Sequence, residues 1–131
     1  MIVSAKHLGG CRFLLMSRNH HLTTDQASEY GGEDLGPMAS ELLLSAIASC
    51  FGQSMLYVAS RMRRQISELC LDVESEKDAE HFRISEVSVS IRAKCDPDVL
   101  RKVADMAKKY CFVTNSLSAD IRFSYVIRDA G

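Results

Sequence analysis

Five cysteines are the residues of this chain most capable of covalent chemistry. Their number is odd and no two have the Cys-x-x-Cys spacing, so the pattern does not predict a secreted disulfide scaffold. The sequence does not open on a basic segment followed by an apolar run, so we expect no signal peptide. We therefore expect a protein of the reducing cytoplasm, where an unpaired cysteine is either reactive or buried. The five are Cys11, Cys50, Cys70, Cys95 and Cys111.

Cys50 and Cys111 have the surroundings that bear most directly on reactivity. Cys50 lies in the largely apolar stretch 45–51, and Cys111 follows Lys108 and Lys109. A cysteine attacks as a thiolate, and an apolar site raises the pKa of a thiol, so a reactive Cys50 needs a cation beside it. Alternatively, either cysteine fills space as a small hydrophobic side chain. Spacing alone leaves both interpretations open.

Other kinds of site find little support in the sequence. His7, His20 and His21 have no partner at the spacing of a zinc site, so we expect neither a metal nor a cofactor. A cysteine hydrolase would need a histidine base beside Cys50, which His20 or His21 would supply only if the fold brought it there. The 16 basic and 17 acidic residues give a net charge of -1. This balance argues against nucleic-acid and membrane partners.

The first third of the chain predicts short extended segments and then a loop. Residues 2–5, 11–16 and 21–24 are candidate strands, and two glycines separate the first two. Three glycines and Pro37 within residues 30–37 are the strongest turn signal in the sequence, and the proline suits the start of a helix.

A long helix over residues 39–64 is the dominant predicted element. No charged residue occurs from Leu42 to Ser60, and apolar side chains lie on every side of a helical wheel. Such a helix must be buried all round, in a core or a membrane. Gly52 and Gln53 near its middle, and the lack of a second apolar stretch, argue against a membrane span. A single chain of this size can hardly cover such a helix, so we expect an intertwined homodimer around it.

The remainder of the chain alternates as strands around one amphipathic helix. Asp96 and Pro97 have the pattern of an N-cap followed by a first helical residue. We expect one α+β domain over residues 1–131, with mostly antiparallel sheets around a long buried central helix. Strands are predicted at 69–73, 87–93 and 121–127, with a turn at 75–81 and an apolar helix face over 99–110.

Two separate motifs resemble the OsmC/Ohr family, which comprises osmotically inducible protein C and the organic hydroperoxide resistance proteins. The resemblance covers nearly the whole chain, and the motifs occur in the family's order and separation. It implies an intertwined α+β homodimer whose central helices pack together, in agreement with the burial argument. The motifs are Gly31-Gly32-x-x-x-Gly36-Pro37-x-x-x-Glu41-Leu42-Leu43-Leu44-x-Ala46-x-Ala48-x-Cys50 and Tyr110-Cys111-Phe112-Val113-Thr114-Asn115-Ser116-Leu117.

The resemblance also implies thiol peroxidase chemistry. By position, Cys50 is similar to the family's peroxidatic cysteine and Cys111 to its resolving cysteine. The Cys50 thiolate would attack an organic hydroperoxide, releasing an alcohol and leaving a sulfenic acid. Cys111 would condense with that acid to a disulfide, which an external dithiol reduces. In better-studied members of the family this dithiol is a lipoylated protein.

In the family, an arginine from the N-terminal strands holds the thiolate and is tied to a glutamate near the start of the central helix. Arg12 matches the arginine's glycine-rich context best, and Arg18 is the second candidate. Ser40 occupies the position of the glutamate. Glu41 precedes Cys50 by nine residues, which places the two on opposite sides of a regular helix. We therefore interpret Glu41 as an N-terminal charge favoured by the helix dipole. The departure fits the OsmC-like branch of the family.

Three hypotheses stand on the sequence. The first is a cytoplasmic, cysteine-based peroxide reductase that uses Cys50, Cys111 and Arg12. The second is a non-catalytic dimer whose apolar pocket around Cys50 binds a small hydrophobic ligand. The third is a thiol hydrolase or acyl carrier that uses Cys50 alone. The first requires that the sulfurs of Cys50 and Cys111 meet in the fold.

Overall fold

A computed structural model describes residues 1–129 of the chain. The chain divides into two compact units, Met1–Leu43 and a second that begins at Leu44; the expectation of a single domain stays a prediction. Two short 3₁₀ turns, Ser28–Tyr30 and Lys108–Tyr110, accompany the regular elements. These elements are β1 (Ser4–Gly9), β2 (Arg12–Ser17), β3 (His20–Thr24), α1 (Ala39–Arg61), β4 (Ser67–Lys77), β5 (Ile84–Lys94), α2 (Pro97–Ala107), α3 (Phe112–Asn115) and β6 (Arg122–Ile127).

The amino-terminal unit is an antiparallel meander in the order β1-β2-β3. The strand predicted at residues 2–5 begins instead at Ser4 and runs to Gly9, because its polar residues pair with β2 along the whole edge. Gly9 and Gly10 have positive φ angles of 116° and 53°, so they form the turn that directs the chain into β2. Cross-strand pairing, rather than apolar content, sets the length of β1.

The glycine-rich loop after β3 is packed against the end of β3 and the residues that directly follow it. A Cβ at Gly32 would overlap the carbonyl oxygen of Gln26, and one at Gly36 would overlap that of Thr23. Only glycine permits this close approach of two backbone segments. The first motif therefore has a structural role in this unit.

The buried side chain of Asp25 stabilises the same loop through hydrogen bonds. Its carboxylate accepts hydrogen bonds from the backbone N–H groups of Gln26, Glu33 and Leu35 at 2.7, 3.2 and 3.2 Å. Burial acts to raise the pKa of Asp25, but the three N–H groups and the positive charge of Arg12 outweigh it. The pKa is therefore lowered from its ordinary value of 3.8.

The second unit contains a sheet in the order β4-β5-β6. Strands β4 and β5 form an antiparallel hairpin, whereas β5 and β6 are parallel. A parallel pair requires a crossover connection, and α2 provides it. The mostly antiparallel class is thus confirmed, with one parallel pair that the sequence pattern did not predict. The hairpin turn, predicted at 75–81, begins after Lys77 because the β4–β5 ladder continues to that residue.

One face of α1 forms the core of this unit. Phe51 is fully buried and its ring centroid lies 5.5 Å from that of Phe123 on β6. On other faces of the helix, Leu56 and Tyr57 are 49% and 51% exposed in the single chain. The helix ends at Arg61, three residues before its predicted end, because the chain turns there and Arg63 has a φ of 55°. The core combines Ile47, Phe51, Met55 and Val58 of α1 with Val87, Val89 and Ile91 of β5 and Leu100 and Val103 of α2.

Replacing Asp25 with asparagine tests the loop interaction through its pH dependence. Because the folded-state pKa is lowered, the ionised carboxylate stabilises the fold. This contribution is complete above the unfolded-state pKa and disappears as pH falls through the folded-state pKa. We expect Asp25→Asn to destabilise the protein at pH 7, with a difference from wild type that shrinks below pH 3.8. Urea unfolding at a series of pH values measures this.

The matched control is Asp34→Asn, an exposed change in the same loop at a position with positive φ that asparagine tolerates. It is expected to leave stability nearly unchanged. A destabilisation by Asp25→Asn that is equal at pH 7 and pH 3 would contradict the role of the ionised carboxylate.

Candidate active site

Cys50 lies near the middle of α1 and opens onto a pocket. Gln53, Ser54 and Tyr57 line this pocket with it, at the three-, four- and seven-residue spacings that share one helix face. Tyr110, from the 3₁₀ turn after α2, supplies the opposite lining, and the cavity has a volume of about 350 Å³. Cys50 itself is half-buried.

Cys111 reaches the same place from a distant part of the chain. It directly follows the turn Lys108–Tyr110 and adopts an extended backbone before α3. Its side chain is fully buried and lies close enough to the Cys50 side chain to raise the pKa of the Cys111 thiol. The structure therefore brings together the two cysteines that the sequence singled out.

The Cys111 thiol is held in its protonated form. Burial raises its pKa above the ordinary value of 9.0; hydrogen bonds from the Thr114 side chain and N–H oppose this effect, and the neighbouring Cys50 sulfur adds to it. At neutral pH Cys111 is consequently a thiol, able to donate its hydrogen towards the Cys50 sulfur. The pair thus has one accessible sulfur and one shielded, protonated sulfur.

The rim of the pocket is aromatic. The rings of Tyr57 and Tyr110 meet edge to face, with centroids 5.3 Å apart and an interplanar angle of 64°. Both side chains are about half exposed. They offer apolar ring surface beside Cys50 and leave the entrance open to a small molecule.

Arg12 and Arg18, the two predicted cations, lie at opposite ends of β2 in the amino-terminal unit. Arg12 begins the strand and is half-buried, and its Nε is buried without a hydrogen-bond partner within residues 1–129. Its charge contributes to the lowered pKa of Asp25. Arg18 is an exposed turn residue with a φ of 53°. The assignment of Arg12 to the thiolate stays a prediction.

Glu41 has a capping role at the start of α1. Its Oε1 accepts a hydrogen bond of 2.9 Å from the N–H of Met38, just before the helix. Glu41 also lies in the first turn, where a negative charge is favoured by the helix dipole. Ser40, at the position of the family glutamate, is an exposed residue of the same turn.

Sequence reasoning did not select the other pocket residues. Gln53 was considered only as evidence against a membrane span, and Ser54 and Tyr57 were simply part of the long predicted helix, although the spacing of all three from Cys50 was a usable signal. Tyr110 appeared as part of an amphipathic face. Its contribution to the pocket depends on the turn that ends α2, which no local pattern predicted.

The remaining chemical candidates lie outside this site. Cys11 and Cys70 are exposed and Cys95 is half-buried. Within residues 1–129 no three histidine, cysteine, aspartate or glutamate side chains are grouped as metal ligands.

The sequence matches one protein family over most of its length. The model of the family described as OsmC-like protein matches residues 31–126, which include both cysteine motifs. Among curated protein sequences, none matches the chain at a significant level.

Several solved structures share the fold. One is a protein from Psychrobacter arcticus described as a putative osmotic stress induced and detoxification response protein. It has a TM-score of 0.86 and 22% identity, and the match covers 96% of this chain and 94% of that protein. The OsmC-like protein from Mycoplasma pneumoniae has a TM-score of 0.85 and 16% identity, covering 99% and 96%. The organic hydroperoxide resistance protein OhrB of Bacillus subtilis has a TM-score of 0.74 and 20% identity, covering 97% and 96%.

The family match and the shared fold agree with the resemblance seen in the two motifs. This chain belongs to the OsmC-like protein family, within the OsmC/Ohr group.

Proposed function

We propose that the protein is a thiol-dependent peroxidase that reduces organic hydroperoxides. The observation that carries the proposal is the contact between a pocket-facing Cys50 and a buried, protonated Cys111. A cysteine that only fills space needs no second cysteine beside it and no opening to solvent. The proposal is also supported by family membership and by the shared fold with the Bacillus subtilis protein, which is named for organic hydroperoxide resistance.

The reaction proceeds in two protein-centred steps. The Cys50 thiolate attacks the terminal oxygen of the hydroperoxide; an S–O bond forms, the O–O bond breaks and the alcohol leaves after taking a proton. The Cys111 sulfur then attacks the Cys50 sulfur. An S–S bond forms, the S–O bond breaks, and the hydroxyl leaves as water with the proton of the Cys111 thiol.

The exposure of the two sulfurs supports this order. Cys111 has no accessible surface, so a peroxide meets Cys50 first. Its raised pKa also keeps Cys111 as the thiol whose proton completes the leaving water. The rings of Tyr57 and Tyr110 favour the organic part of an alkyl or aryl hydroperoxide over hydrogen peroxide, which has no apolar surface to bury.

Regeneration requires an external dithiol. It attacks the accessible Cys50 sulfur, Cys111 leaves as the thiol, and the second sulfur of the reductant releases Cys50. A lipoylated protein is the reductant that the family resemblance suggests. Five free cysteines suit a reducing compartment, and we assign the protein to the cytoplasm.

The two cysteines have different predicted phenotypes. On addition of cumene hydroperoxide, wild type forms an intramolecular Cys50–Cys111 disulfide, Cys111→Ser accumulates a Cys50 sulfenic acid, and Cys50→Ser does not react. Stopped-flow mixing followed by peptide mass spectrometry, with a sulfenic-acid probe, measures each species. Cys70→Ser is the control, because Cys70 is exposed and outside the pocket.

A wild-type protein that stays fully reduced under excess hydroperoxide would exclude the peroxidase. Binding of the hydroperoxide without oxidation would favour a ligand-binding protein. Cleavage of an activated thioester that is lost only in Cys50→Ser would favour a hydrolase.

The role of Arg12 is tested by comparison with Arg18. An arginine that stabilises the Cys50 thiolate lowers the pKa of that thiol, so Arg12→Ala is expected to slow sulfenic-acid formation at neutral pH by about 10-fold or more. Part of the lost rate returns at higher pH, because the thiolate population rises. Arg18→Ala, at an exposed turn, is expected to react like wild type. Equal rates for all three proteins would remove Arg12 from the mechanism.

We also propose that the protein functions as a homodimer. Leu43, Leu56 and Tyr57 of α1 are between 38% and 51% exposed in the single chain, and burying these large apolar side chains is favourable. A second copy of the same helix is the cover that the family resemblance suggests.

Leu56→Glu tests the dimer. A charge in an apolar interface is strongly unfavourable, so the variant is expected to shift sedimentation-equilibrium profiles from dimer to monomer at micromolar concentration. Ser60→Glu, at an exposed residue one turn further along α1, is the control for added charge. A Leu56→Glu dimer as tight as wild type would mean that another surface forms the contact.

A further inference from the structure

Ser54 is a buried polar side chain in an otherwise apolar part of α1. It is only 6% exposed, and its Oγ lies 2.8 Å from the carbonyl oxygen of Cys50 and 3.0 Å from that of Tyr110. A hydroxyl group has one hydrogen, so Ser54 donates to one of these carbonyls at a time. In a continuous helix the Cys50 carbonyl also accepts the N–H of Ser54. The Tyr110 carbonyl therefore depends more on the hydroxyl.

Tyr110 is the residue through which Cys111 is connected to α1. It ends the 3₁₀ turn, and carbonyls at the end of a helical turn lack donors within it. The next residue, Cys111, is extended, with φ −86° and ψ 95°. The hydrogen bond from Ser54 thus fastens the backbone one residue before Cys111 to the helical turn that carries Cys50.

We propose that Ser54 is a positioning residue for disulfide formation. Its hydroxyl holds the segment that carries Cys111 against α1, so that the Cys111 sulfur remains beside Cys50 while Cys50 is oxidised. The proposal rests on the thiol chemistry described above. In the step concerned, the Cys111 sulfur bonds to the Cys50 sulfur, the Cys50 S–O bond breaks, and the hydroxyl leaves as water with the Cys111 proton.

The physical reason is the effective concentration of one sulfur at the other. If the segment that carries Cys111 is mobile, the Cys111 sulfur spends less time within bonding distance of Cys50. If the segment is fixed, the two sulfurs react as neighbouring groups of one molecule. Removing the hydroxyl leaves the Tyr110 carbonyl without this donor and loosens the segment. It does not remove the Cys50 sulfur or close the pocket. Loss of the hydroxyl should therefore slow the second step more than the first.

The primary test compares Ser54→Ala with wild type in a background where Cys11, Cys70 and Cys95 are serine. Rapid mixing with cumene hydroperoxide separates sulfenic-acid formation from disulfide closure. We expect closure to be roughly fivefold slower in Ser54→Ala, the effect of one lost hydrogen bond, and any change in sulfenic-acid formation to be clearly smaller than that. Ser60→Ala, an exposed serine of the same helix, is the control and should match wild type in both steps.

A second measurement needs no peroxide. Equilibrium with reduced and oxidised glutathione reports how readily Cys50 and Cys111 pair, and Ser54→Ala should lower that equilibrium constant by roughly fivefold. A serine that only stabilised the fold would lower the melting temperature and leave this constant unchanged. If wild type pairs in glutathione but ignores the hydroperoxide, the proposed peroxidase fails and the positioning role remains.

Ser54→Thr and Ser54→Val separate the hydroxyl from packing, because the two residues have nearly the same shape. Their comparison also applies if Ser54→Ala does not fold. The threonine variant should close several-fold faster than the valine variant. Equal closure rates in this pair, or a loss in Ser54→Ala that is as large for sulfenic-acid formation as for closure, would overturn the proposal.

Discussion

The closeness of the Cys50 and Cys111 side chains is the constraint on which the rest of the site depends. A sulfur with no exposed surface can react only with a group that the fold has already brought to it. The β4–β5 hairpin, α2 and the turn after it return the chain to α1 and bring Cys111 to Cys50. The burial that shields Cys111 also raises the pKa of its thiol, so location and protonation state have the same cause.

Adjacent residues of helix α1 belong to the hydrophobic core and to the Cys50 pocket. Phe51 packs against Phe123 and Tyr125, while Cys50, one position earlier, opens onto the pocket. The Tyr125 hydroxyl donates its one hydrogen to the Asp105 carboxylate on α2, and the carbonyl oxygen of Arg101 is an alternative acceptor at 3.4 Å. Burial, followed by the Asp105 interaction, raises the pKa of Tyr125 to about 12. The packing that fixes the rotation of α1 about its axis therefore also fixes the direction of Cys50.

The sequence predicted the individual helices and strands well, but it predicted the contacts between them less well. The helix that begins at Ala39, the N-cap at Asp96 and the α+β class follow from local patterns, and all three are confirmed. The parallel pairing of β5 with β6 and the pocket contribution of Tyr110 are contacts between distant segments. The periodicity of a short stretch of sequence does not indicate which distant segment it will contact. The cysteine pairing was expected only through the family resemblance, since spacing alone permits a return of the chain but does not direct it.

Ser40 departs from the family pattern, and the acidic side chain whose pKa the charge of Arg12 helps to lower is Asp25. Glu41 is engaged at the start of α1, where it caps Met38. Asp25, from the loop after β3, is close enough to Arg12 for the arginine's charge to help lower its pKa, although three N–H groups already hold its carboxylate. A carboxylate that already accepts hydrogen bonds from backbone N–H groups binds a nearby arginine less strongly than a carboxylate without such partners. Arg12 therefore has an acidic neighbour that is held mainly by backbone N–H groups, and its buried Nε has no hydrogen-bond partner within the described residues.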